Sequence, residues 1–163
     1  TEVEQKELQH RGEDALSATR AAAEEGIVAG GGAALIHAAR SLDKMKGQND
    51  DEQIGIDIVR RALVYPTKNI AGNAGLDGSV IVEQVKQAKE TKMGFNVVTR
   101  QMGDLIAAGV IDPKKVTRSA LQNAASVAAM FLTVEVAIVD APKEESAAPA
   151  MPGGGGMGGM GEF

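Results

Sequence analysis

The chain has 163 residues, 17 Lys and Arg against 22 Asp and Glu, a net charge of −5 and a pI near 5.1. An acidic chain with no basic block suits neither nucleic acid nor an anionic membrane, and the absence of Cys excludes disulfide scaffolds and Cys-based zinc sites. No run approaches 18 consecutive apolar residues, so no membrane span is expected.

Hydrophobic residues make up 44% of the chain but aromatics only 2%. Ala alone occurs 26 times, and Ala is the strongest helix former. These values predict a mainly α fold of closely packed helices, and they disfavour a base-stacking platform. The chain opens at Thr1 directly into a charged helical stretch without a leader, which is the expectation for a piece of a longer protein.

Residues 3–25 read as one long helix, with Leu8, Ala15, Ala18, Ala22 and Ala23 on one stripe and Gly26 as its C-terminal cap. Ile27-Val28-Ala29 leads into Gly30-Gly31-Gly32 and then a helix over 33–45. A polar loop is expected at 46–51. A helix carrying Ile54, Ile58, Ala62 and Leu63 follows and breaks near Pro66, and residues 70–74 form a further turn or two ending at Gly75. Asp77 caps a helix running to about residue 88. Residues 95–99 read as a strand or extended loop, and 104–108 as a short helix stopped by Gly109. Asp112 as N-cap and Pro113 at the first helical position start a helix over 114–131. Residues 134–139 alternate weakly and suggest a terminal strand. From residue 141 on, three of the five Pro and seven of the 20 Gly gather around a Gly-Gly-Met repeat at Met157 and Met160. That composition cannot build a core and reads as a disordered tail.

Three features could carry chemistry. Gly30-Gly31-Gly32 opens a helix, where bare backbone N–H groups favour an anion. A dinucleotide fingerprint would need Gly at position 35, which is Leu35, and no Walker-type Gly-Lys-Ser/Thr occurs. Taken alone, the triplet reads first as a tight turn between packed helices. Asp14, beside Glu13, could orient a water for phosphoryl transfer; the plainer reading is a solvated helix face with Asp14 paired to Arg11. Asn96 and Asp112 could read an adenine edge and ribose hydroxyls, although Asn96 is also a good turn residue and Asp112 a good helix cap. His10 and His37 lie far apart with no second ligand at metal spacing.

These signals align with a family. Arg11-Gly12-Glu13-Asp14-Ala15-Leu16, Ala18-Thr19-Arg20-Ala21-Ala22-Ala23-Glu24-Glu25-Gly26, the glycine triplet with Ala34-Leu35-Ile36, the run Gly109-Val110-Ile111-Asp112-Pro113, then Lys115-Val116-Thr117-Arg118-Ser119-Ala120-Leu121-Gln122 and Ala124-Ala125-Ser126-Val127-Ala128, and the Gly-Gly-Met tail together resemble the C-terminal part of group I chaperonins of the GroEL type. Group II chaperonins usually carry Glu shortly after the triple Gly. Here Ala33-Ala34-Leu35 follows, which favours group I.

The resemblance implies an ATP-dependent folding chamber in the bacterial cytoplasm, built of two stacked seven-subunit rings with a co-chaperonin lid, that encloses unfolded proteins. ATP, Mg²⁺ and K⁺ are the implied cofactors. Residues 1–25 would belong to the intermediate domain, 26–140 to the C-terminal half of the equatorial domain, and 141–163 to the tail on the cavity floor. Asp14 matches the carboxylate that drives ATP hydrolysis. Gly30, Gly31 and Gly32 match nucleotide-contacting glycines; Asn96, Val97 and Val98 the segment at the adenine; Val110 the apolar neighbour of the base; Asp112 the ribose-binding carboxylate. The strand at 134–139 would join sheets between subunits. Gly12 stands where a β-branched residue is usual, and Val97 and Val98 where small Ala residues are common. The family's phosphate loop, Gly-Asp-Gly-Thr-Thr-Thr, does not occur in these 163 residues, so the chain alone is expected to be inactive. The alternative is a non-enzymatic acidic helical module that assembles with partners and has no nucleotide role.

Overall fold

A computed structural model describes residues 1–141. Among them the order is α1 (Glu2–Glu25), β1 (Ile27–Ala29), α2 (Ala33–Leu42), α3 (Asp50–Ala62), α4 (Tyr65–Asn73), α5 (Gly78–Gln87), β2 (Met93–Asn96), β3 (Gln101–Asp104), β4 (Ile111–Pro113) and α6 (Lys114–Thr133). The chain divides into two units, Thr1–Leu132 and Thr133–Phe163, and the fold below is that of the first. It is mainly helical with short β elements, as the composition predicts. The Gly/Met-rich tail lies outside the described residues.

α1 begins with a capping box, in which the Thr1 hydroxyl accepts from the Glu4 amide and the Glu4 carboxylate accepts from the Thr1 amino group. None of its residues is buried. Its exposed length carries i,i+4 pairs such as Lys6–Glu2 at 2.8 Å, each worth only a few tenths of a kcal/mol, about 0.2–0.5. Its C-terminal end is fixed better. Gly26 closes it at φ 81, the Gly26 carbonyl accepts from Lys114 N–H at 3.0 Å, and Glu25 pairs with Arg118 at 2.7 Å.

β1 and β4 pair antiparallel with Val28 opposite Asp112, and β2 and β3 form a hairpin with Phe95 opposite Met102. The core lies where these strands meet α2 and α5. Ala29, Ala33, Ile36, Val82, Val85 and Leu105 are buried together, with Val64, Phe95, Met102 and Val110 against them. Small residues set the spacing, as the Ala content suggests. At Gly94 a Cβ would lie 2.5 Å from Leu105 Cδ1 and 2.8 Å from Ala33 Cβ, so β2 can approach α2 only without a side chain there.

Several boundaries differ from expectation. α2 ends at Leu42, and α3 starts inside the expected loop because Asn49 caps it, accepting from Glu52 N–H at 2.9 Å. Pro66 opens α4 where a break was expected, because a first-turn residue needs no N–H. No helix forms at 104–108. Gln101–Asp104 is drawn into β3 by pairing with β2, and the Asp104 carboxylate accepts from Ala107 N–H at 3.0 Å, closing a turn to Gly109 at φ 73. Asp112 is not a helix cap but a residue of β4, one position too early to reach the first amides of α6. Residues 134–139 form no strand; Ile138 is 97% exposed, and no segment pairs with them among the described residues.

Candidate functional site

The chain leaves β1 through Gly30-Gly31-Gly32 and enters α2. Gly31 and Gly32 have φ of 65° and 79°, in the left-handed region that a Cβ disfavours. Each glycine of the triplet has its own neighbour. Gly30 N–H donates to Val110 C=O at 3.0 Å, and a Cβ there would sit 3.2 Å from the Val110–Ile111 backbone. Gly31 C=O accepts from the buried Thr67 hydroxyl at 3.0 Å. A Cβ on Gly32 would lie 2.5 Å from Thr67 Oγ1 and 2.9 Å from Thr67 N. The triplet is thus a tight turn, as the plainer reading has it. It also leaves the Gly31 and Gly32 N–H groups without a partner among the described residues, at the start of α2.

Two further segments reach this turn. The β2 end comes close, with Phe95 C=O 3.9 Å from where a Gly31 Cβ would stand. Asn96 Oδ1 accepts from Val98 N–H at 3.0 Å and Thr99 N–H at 3.4 Å. It is therefore a turn residue, and its side-chain NH₂ is the end left to meet a ligand. Val97 is half-buried and Val98 exposed. On the other side Val110 packs against the core. Asp112 is half-buried opposite Val28 and has no side-chain partner among the described residues. Burial pushes its carboxyl above the usual carboxylate range. An unpaired, partly desolvated carboxylate is a group that can bind a polar ligand, and Asp112 lies two residues beyond Val110, whose carbonyl holds Gly30.

Asp14 is elsewhere. It is exposed on α1, and Arg11 reaches Glu7 at 4.0 Å in place of it. Twelve residues separate it from Gly26, about 18 Å along the helix axis at 1.5 Å per residue. The structure therefore brings Gly30 against Val110 and Gly31 near Phe95, which precedes Asn96, Val97 and Val98, with Asp112 two residues beyond Val110, while Asp14 lies on the exposed α1. Thr67 and Gly94 escaped the sequence reading; a glycine turn gives no hint of the hydroxyl that buttresses it from 36 positions away. His37 is buried, with Nε2 2.7 Å from Met93 C=O and Nδ1 unpaired. No three His, Cys, Asp or Glu among the described residues stand close enough to hold a metal ion.

Residues 1–142 match the TCP-1/cpn60 chaperonin family. The chain belongs to that family. Among solved structures it is similar to the crystal structure of a group III chaperonin in the open state, at 28% identity and a TM-score of 0.63. That match covers 72% of this chain and 25% of the other, so the chain spans about a quarter of its relative's length.

Proposed function

We propose that this chain forms one wall of the ATP site of a group I chaperonin subunit and supplies its hydrolytic carboxylate. The observation that carries this reading is the glycine turn, with two unpartnered N–H groups among the described residues, tied through Gly30 to Val110 on the segment that continues into β4 and its unpaired Asp112 carboxylate. Asp112 would accept from the ribose hydroxyls. The Gly31 and Gly32 amides would face an anionic group at the positive end of α2. The Asn96 NH₂ and the Val110 side chain would meet the edge and face of the base. Residues 26–140 would then be equatorial and residues 1–25 intermediate, with the tail at 141–163.

ATP supplies the phosphoanhydride that is cleaved. Asp14 Oδ would take the proton of the attacking water, a task its present position does not allow. α1 must therefore swing, and Gly26, the glycine that joins α1 to β1, is the place for it to bend. Phosphoryl transfer rests on positioning and charge neutralisation. The described residues offer no acidic cluster for Mg²⁺ or K⁺, so the ions and the phosphate loop would come from residues outside these 163, and the chain alone would be inactive. In the whole protein the same reading implies paired seven-subunit rings, a co-chaperonin lid, unfolded-protein substrates and a bacterial cytoplasmic location.

Calorimetry with Mg-ATP tests this. The chain alone should bind feebly, and a longer subunit containing Gly-Asp-Gly-Thr-Thr-Thr should bind tightly. Micromolar binding by the chain alone would overturn the claim that the other half is essential. No binding by the longer subunit would leave the assembly-module reading in its place.

A further inference from the structure

Away from the glycine turn, residues of α2, α3, α4 and α5 line an open cleft of about 780 Å³, within the size range of small-molecule sites. Its charged lining is one-sided. Arg40, Lys44, Arg60, Arg61, Lys68 and Lys86 face it, with Asp43 the acid among them. These are six of the 17 basic residues of a chain whose net charge is −5.

Helix dipoles explain part of this clustering. Arg40, the Arg60-Arg61 pair and Lys86 occupy the last turns of α2, α3 and α5, where a cation offsets the negative helix end. Arg40 is committed, donating to the carbonyls of Lys86, Ala88 and Lys89 at the end of α5. Arg60 is held by Asp57 at 2.9 Å and Asp43 at 3.4 Å. Lys44, Arg61, Lys68 and Lys86 have no carboxylate partner among the described residues. Six cations set against Asp43, Asp57 and three helix ends of about half a negative charge each leave the cavity roughly two to three charges positive.

The remaining wall suits a compact ligand better than a flat protein surface. α4 presents its N-terminus here through Val64 and Tyr65. The exposed Tyr65 ring lies under Lys68 Nζ at 5.8 Å, and Ile36, Ala39 and Val64 are apolar.

We propose that this cavity is a second ligand site, separate from the nucleotide wall, that takes a small polyanion bearing phosphate groups. Arg61, Lys68, Lys86 and Lys44 come from different elements and can engage several oxygens at once, and the Arg61 fork matches phosphate geometry. None of the cavity residues belongs to the glycine turn, Asn96, Val110 or Asp112.

The test is a titration of the 163-residue chain with sodium tripolyphosphate at low ionic strength, followed by calorimetry and by amide chemical shifts. One saturable site is expected, with shifts at residues 60–68 and 86. The double variant Arg61→Gln/Lys68→Gln should weaken binding at least about tenfold, the loss of one charge-assisted hydrogen bond, while Lys6→Gln, on the exposed α1, stays within about twofold. Circular dichroism checks that the double variant folds, and Lys44→Gln, on the loop after α2, gives an independent several-fold loss. Absence of saturable binding, unchanged affinity in the double variant, or shifts centred on Gly30–Gly32 would each overturn the proposal. Tighter binding of a poly-glutamate peptide than of tripolyphosphate would also overturn it, assigning the cavity to an acidic protein segment.

Discussion

Gly32→Ala is the perturbation whose cost the structure specifies most completely. At φ 79 the new Cβ would hold the backbone in the left-handed region, a cost of about 1–2 kcal/mol. It would also stand 2.9 Å from the Thr67 amide nitrogen and 2.5 Å from Thr67 Oγ1. Rotating the hydroxyl away does not relieve the backbone contact, so α4 must shift, and overpacking of this kind costs about 1–3 kcal/mol. The shift also strains the Thr67 hydroxyl bond to Gly31 C=O, worth about 0.5–1.5 kcal/mol. Together these give about 2.5–6.5 kcal/mol, a large share of a domain's stability. Gly31→Ala is the internal control: it has φ 65 but open space, with Phe95 C=O at 3.9 Å. It should lose only the backbone share, about 1–2 kcal/mol. Urea denaturation of both variants measures the difference. Equal losses, or a Gly32→Ala variant within about 1 kcal/mol of the parent, would refute the packing argument.

Two predictions concern acid sensitivity. Asp112 is raised by burial, so the native state holds its proton more tightly than the unfolded chain does, and stability falls as pH climbs through the carboxylate range. Asp112→Asn should remove that slope and leave the fold at least as stable at pH 7 as the parent, by denaturation at pH 4 and pH 7; a marked loss at pH 7 would mean the carboxylate has a structural partner. Glu25 is lowered, chiefly by its hydrogen bond to Arg118, so the tether between α1 and α6 acts above pH 4.5 and fades as pH falls through the lower folded value. Arg118→Gln should move the Glu25 carboxyl titration, followed by NMR, back toward 4.5.

Local signals in the sequence carried the elements whose ends are set by side chains. Asp77 accepts from Ser79 and Val80 N–H as the cap of α5, and Gly26 closes α1. Elements that depend on a distant partner were not legible. Gln101-Met102-Gly103-Asp104 has no alternation and little strand propensity, and it is β3 only because β2 lies beside it. Residues 134–139 are the converse, since β-branched residues without a neighbouring strand stay unpaired. At the site, the triplet was visible as a turn, while the hydroxyl of Thr67 and the approach of Val110 are contacts across 36 and 80 positions. Asp112 read as a cap because Asp-Pro before a helix is cap chemistry; its pairing with Val28 spans 84 positions. The fold gives Asp14 no distinction from other exposed acids of α1, and only the family resemblance singles it out.

The central claim is that binding and hydrolysis are carried by separate parts of the chain. Measuring ATP affinity and single-turnover hydrolysis in the intact subunit for Asp14→Ala and Asp112→Ala tests it most directly. Asp14→Ala should leave affinity within a few-fold and lower the chemical rate by about 10²-fold, the low end of what a positioned general base supplies. Asp112→Ala should weaken binding first, by about 1–3 kcal/mol for a lost hydrogen-bond partner. An Asp14→Ala variant that lost ATP binding and kept its chemical rate would make that carboxylate a ligand contact and contradict the account.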